Sequence, residues 1–184
     1  MSLISFFRRF HRVPALLASE EKQLFLFWKM MKKHLDRKKY FFGIYENEKT
    51  LRAEFKVGED LILNFDYSLH QTRLFLVCEF VEYGDDADAS DLFILAQHMN
   101  NFIPRDGKIH IDTREQRIAL AFNVDFRLFL LGLSDFQEII TRHYHITLDA
   151  RKCFKRLIQE GTDPVEIIAD LLAEDDAYEE NSPV

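Results

Sequence analysis

Hydrophobic residues recur at two rhythms along this chain, and each change of rhythm marks a change of element. Leu3, Phe6, Phe7 and Phe10 are spaced three and four apart, with Arg8, Arg9 and Arg12 between them, which predicts an amphipathic arm that Pro14 stops. A long helix is expected from Glu20 to Lys38. Leu24, Phe27, Trp28, Met31 and Leu35 form its stripe, Ser19 offers an N-cap, and Arg37, Lys38 and Lys39 sit at its negative end.

The period then drops to two. Leu51, Ala53, Phe55 and Val57 alternate with Arg52, Glu54 and Lys56, and Gly58 to Asp60 make a turn. Leu61, Leu63, Phe65 and Tyr67 form a second run. A third, carrying Leu74, Leu76, Cys78 and Phe80, follows a turn at Ser68 to Gln71. Short turns between such runs predict an antiparallel meander, with Tyr40 to Tyr45 as a further edge strand.

Helical spacing returns from Ser90 to Phe102, with Leu92, Leu95, Ala96, Met99 and Ile103 inward and Pro104 and Gly107 ending the helix. A hairpin follows. Ile109 and Ile111 lead into a turn at Asp112 to Gln116, and Ile118, Leu120, Phe122, Val124, Phe126 and Leu128 predict one long strand. Ser134 and Gln137 have the spacing of a capping box for a helix to about His145, carrying Phe136, Ile139, Ile140 and Tyr144. A separate helix with Leu148, Cys153, Phe154 and Leu157 ends at Gly161. A last one opens at Asp163 and Pro164, with Val165, Ile168, Leu171 and Leu172 inward.

The fold class this order predicts is α+β: an antiparallel sheet of five or six strands in the order α-β-β-β-α-β-β-α, helices packed on the sheet, and additional C-terminal helices. The expected division is an arm over residues 1–18, one domain over 19–173 and an acidic tail over 174–184.

Composition narrows the function. With 184 residues, 47% of them hydrophobic and 18 of them Phe, the chain can build a substantial core without disulfides, and its two cysteines suit buried apolar sites. A net charge of −7 disfavours non-specific nucleic-acid binding. No run approaches the ~20 apolar residues of a membrane span, and the arginines of the N-terminus follow its apolar residues, the reverse of an export signal. A cytoplasmic location is therefore expected.

Candidate chemistry is thin. Asp86, Asp88 and Ser90 fit the first positions of a calcium loop, but Asp91 stands where glycine is needed and Gln97 where a bidentate Glu belongs. His143 and His145, with Cys153, lack the spacing of a zinc site, so a helix C-terminus is the simpler account of the histidines. Ser134 lacks the second glycine of a nucleophile elbow, and no glycine-rich phosphate loop occurs. Basic and aromatic residues interleave from Lys32 to Phe42, which would suit a nucleic-acid strand were the chain not so acidic. Neither enzyme activity, cofactor nor metal is expected.

The stretch from Leu51 to about His145 resembles the YbjN-like family, of the type III secretion chaperone-like fold. The resemblance is carried by Ala96 to Phe126: the helix with His98-Met99-Asn100-Asn101-Phe102, the turn at Asp106-Gly107, the strand Lys108-Ile109-His110-Ile111-Asp112 and the long strand after it. It makes residues 51–145 the core and 146–173 added C-terminal helices. It implies a small acidic protein that binds another polypeptide, often as a homodimer, in a chaperone-like or regulatory role without chemistry of its own. The expected partner surface is the arm, through Phe6, Phe7 and Phe10, where a membrane surface is the alternative partner; a small-molecule binder is the other reading.

Overall fold

The computed structural model describes residues 17–40, 42–58 and 61–180, the side chains of 174–180 excepted. The arm and its Phe6, Phe7 and Phe10 lie outside the described residues, as do residues 181–184.

The chain runs α1 (Glu20–Lys38), β1 (Phe42–Tyr45), β2 (Thr50–Val57), β3 (Leu61–His70), β4 (Arg73–Glu82), α2 (Ala89–Phe102), β5 (Gly107–Asp112), β6 (Arg117–Asp125), α3 (Arg127–Leu131), α4 (Phe136–Glu160) and α5 (Pro164–Glu180). Six strands form one sheet in the order β1-β2-β3-β4-β6-β5, so β1 and β5 are its outer strands. This is the antiparallel α+β architecture that the alternation predicts, with Phe42–Tyr45 supplying the sixth strand. Two compact units divide the chain. One holds the described residues up to Cys78 together with Ala121–Tyr144; the other holds Glu79–Leu120 and the described residues from His145 onward.

In the first unit the β1, β2 and β3 registers put Leu51, Ala53, Leu63, Phe65, Tyr67 and Leu69 on one buried face. Gly58 links β2 to β3 at a φ of 74°, a left-handed conformation that costs glycine little. Phe27 of α1 is fully buried, stacked on Phe126 and Phe129 at 5.0 and 5.5 Å and meeting the edge of Phe136 at 5.8 Å. In the second unit α2 buries Leu92, Leu95, Ala96 and Met99, Phe80 packs on Phe154, and α5 contributes Ile167 and Ile168.

Several expectations need correction, each for a local reason. β3 continues through His70, so the turn is Gln71–Thr72 rather than Ser68 to Gln71; a buried Leu69 extends the apolar face, and Gln71 takes a φ of 51°. The long strand ends at Asp125. Asp125 accepts from the backbone N–H and guanidinium of Arg127, turning the chain into α3, where Phe126 stays buried but Leu128 is exposed. Asp135, not Ser134, accepts from the backbone N–H of Gln137 at the start of α4.

The two helices expected between Phe136 and Gly161 are one, α4. Its inward stripe continues through His143 and Thr147, both fully buried; counting these as polar breaks the rhythm falsely. His143 therefore lies mid-helix, not at a helix C-terminus, its ring edge-on to Phe65 and Phe122 at 5.1 and 5.2 Å. In α5, Val165 and Leu172 face outward and Ile167 takes the inward place. In α1, Gln23 is buried and Leu24 only half-buried, because the Gln23 amide donates to the carbonyl of Ala18 at 2.9 Å; the Ser19 side chain makes no cap bond.

Candidate protein-binding surface

The outer strand β1 reads Phe-Gly-Ile-Tyr, without a charge or a proline. Its partner is β2, with Ile44 opposite Leu51 and Tyr45 opposite Thr50. Successive side chains of a strand point to opposite faces. Phe42 and Ile44 thus share a face with Leu51 and Ala53, while Tyr45 shares the other with Arg52, whose guanidinium lies 5.9 Å from the Tyr45 ring. Ile44 is 47% exposed and Tyr45 45%. Among the described residues, no side chain hydrogen-bonds to the main chain of β1.

Phe42 also lines a shallow depression of about 540 Å³ with Phe25, Trp28, Lys29, Lys32, Lys33 and Asp36 of α1. Phe25 is 61% exposed. Below it, Glu46 ties the end of β1 to α1, accepting from the Trp28 indole at 2.9 Å and from Lys32 at 2.7 Å. Lys32 and Lys49 both lie over the Trp28 ring, at 5.3 and 5.5 Å. The Lys32 hydrogen bond is the main reason the Glu46 carboxyl is held below its ordinary pKa. Lys29 and Lys33 are exposed, and among the described residues neither has a carboxylate within ion-pair distance. The depression therefore joins apolar residues to a rim on which Lys29 and Lys33 outnumber Asp36, beside a strand whose edge is open among the described residues.

A second hollow, of about 390 Å³, lies within the second unit among α2, α4 and α5. Met99, Ile103, Ile146 and Leu171 supply apolar lining, and Arg156 of α4 bonds Asp170 of α5 across it at 2.8 Å. Two of its charged lining residues thus answer one another.

The residues singled out for chemistry do not converge. Asp88 caps α2 by accepting from the backbone N–H of Ser90 at 2.7 Å, and Asp85 accepts from the Gln116 side chain. Among the described residues no three of His, Cys, Asp or Glu gather to hold a metal ion. His143 and Cys153 are buried while His145 is exposed. Burial in the core raises the Tyr67 phenol well above its ordinary pKa, and nothing from solvent reaches it there. No helix among the described residues is long and apolar enough to cross a membrane.

The basic and aromatic interleaving from Lys32 to Phe42 was the only sequence signal pointing at the α1 depression. Tyr40 to Tyr45 was expected at the sheet edge, and Phe42–Tyr45 lies there, but whether an edge is covered depends on residues distant along the chain and has no such signal.

No protein-family model matches the chain, and no curated protein matches it. Among solved structures it is similar to a chain in the crystal structure of the ExsC-ExsE complex, at 16% identity and a TM-score of 0.47, covering 71% of this chain and 92% of that one. A likeness this shallow carries no inference about partners.

Proposed function

We propose that this protein is a non-enzymatic interaction module that receives a segment of another polypeptide along β1. The observation that carries the reading is the outer strand, uncovered among the described residues: an apolar edge, with two half-exposed side chains and an adjoining depression, in a sheet whose opposite edge is covered at Ile109. An open edge is a row of unpaired N–H and C=O groups, and adding a strand satisfies them. Within this reading the chain is YbjN-like and type III secretion chaperone-like, acts in the cytoplasm, and holds its partner without transforming it.

A photo-cross-linking residue placed at Ile44 tests this in the native cell, with His110 on β5 as the control position. The expected outcome is an adduct to another polypeptide from position 44 and none from 110. An adduct of twice the chain's own mass would make the partner a second copy. Absence of adducts from position 44, with the protein folded and abundant, would remove the reading.

A further inference from the structure

The chain is acidic overall, yet the surface beside β1 is not. α1 carries Lys22, Lys29, Lys32, Lys33, Arg37 and Lys38 against Glu20, Glu21 and Asp36. Lys32 is engaged by Glu46, whereas Lys29 and Lys33 face solvent at the rim of the depression that Phe42 lines. At physiological salt, charges are screened over roughly 8 Å. An approaching segment therefore feels these lysines, with Asp36 as the one acidic residue lining the depression, rather than the net −7 of the whole chain.

We propose that the segment received by β1 is acidic and extended: a strand alternating Glu or Asp with apolar side chains. This rests on the polypeptide-binding reading above and adds the chemistry of the partner. Side chains of the added strand that share the face of Phe42 and Ile44 look toward the α1 depression. There its carboxylates meet Lys29 or Lys33, while its apolar side chains lie on the opposite face, beside Tyr45. Main-chain pairing with β1 supplies affinity; the lysines supply selection and speed of encounter. A lipid headgroup or a nucleic-acid backbone would satisfy the lysines but leave the strand edge unpaired, which is why the geometry favours a peptide.

Fluorescence anisotropy on the full chain tests the proposal with four labelled nonapeptides: Glu alternating with Val, Gln with Val, Lys with Val, and the Glu–Val peptide N-methylated at every residue. The Glu–Val peptide binds at least tenfold tighter than the Lys–Val peptide, and rising salt narrows the gap. N-methylation, which keeps every side chain and removes main-chain donors, abolishes binding. A Lys29→Glu/Lys33→Glu double variant reverses the preference, and its gain of the Lys–Val peptide shows that it is folded.

Equal binding of the Glu–Val, Gln–Val and Lys–Val peptides overturns the acidic preference and leaves the polypeptide-binding reading standing. Binding of none overturns both. Undiminished binding of the N-methylated peptide overturns strand addition. Capture of phosphatidylserine vesicles in place of the peptides, lost in the double variant, makes the surface a membrane contact and overturns the proposal.

Discussion

The sheet has two outer strands, β1 and β5, and the chain finishes them differently. β5 reads Gly-Lys-Ile-His-Ile-Asp, with Lys108, His110 and Asp112 outward. Its main chain is also covered: the Asn100 side chain of α2 accepts from the Ile109 N–H at 2.7 Å and donates to the Ile109 carbonyl at 3.3 Å. One amide thus occupies both polar groups of a strand residue, as a further strand would. β1 has no charges and, among the described residues, no such cover. Edges are normally blunted by charge, proline or a covering element, because an open one invites pairing. One edge treated and the other left open among the described residues is the contrast on which the proposed strand addition rests.

The largest test removes the cover. Asn100→Leu strips both partners from a part-buried N–H and carbonyl, and is expected to cost about 2 kcal/mol, read as a lower urea midpoint at unchanged slope. Asn100→Asp keeps the acceptor and loses the donor, so it costs less. If Asn100→Leu unfolds like the parent protein, the amide is not sealing β5 and the contrast between the edges fails.

The next test treats β1 as β5 is treated. Ile44→Lys places a charge on the bare edge of a half-exposed site, costing about 1 kcal/mol in folding while abolishing capture of the partner segment. Hydrogen exchange then sharpens the comparison. In the free protein the Ile109 amide is protected by Asn100, and the outward amides of β1 exchange fast until a peptide is bound. Slow exchange along all of β1 in the free chain would show that the edge is already covered.

A smaller effect is expected one strand further in. Arg52 and Asp66 face each other directly across β2 and β3, in a two-pronged pair at 2.7 Å with both side chains partly exposed. Arg52→Ala should cost only about 0.5 kcal/mol, since water screens the pair; a loss of several times that would mean that the meander next to β1 depends on surface charge.

The smallest test is pH. Glu46 follows β1 and Asp112 ends β5, and both carboxyls sit below their ordinary pKa. Glu46 owes this first to Lys32; Asp112 owes it to the backbone N–H groups of Glu115 and Arg114. A carboxyl lowered in the folded state stabilises it above the ordinary carboxylate pKa, and that contribution fades as pH falls through the lowered value. Carboxyl-carbon NMR titration should find both groups below the usual range. Lys32→Met should move Glu46 up and leave Asp112 in place.

Much of this molecule was legible because burial on one face of a sheet imposes alternation directly on sequence. Leu51, Ala53, Leu63, Phe65, Leu74 and Leu76 are all inward as their spacing predicts. Helix ends with a negative first turn or a proline, such as Glu20 and Pro164, were equally plain. The misplaced boundaries have more than one origin. A buried polar residue looks like an exposed one in sequence: His143 and Thr147 interrupt a stripe that aromatic neighbours in fact complete. Leu128 errs in the opposite sense, where an apolar residue continues the alternation past the point at which Asp125 and Arg127 bend the chain.

By itself the sequence determined the α+β class, the strands and their inward faces, because local spacing and hydrophobic burial are read off neighbouring residues. Only the tertiary structure decided that the edge of Phe42–Tyr45 is left open among the described residues, that Asn100 seals Ile109, and that Lys29 and Lys33 flank a depression beside β1. Edges, seals and shared depressions are made by residues distant along the chain, and no local periodicity encodes which of them meet.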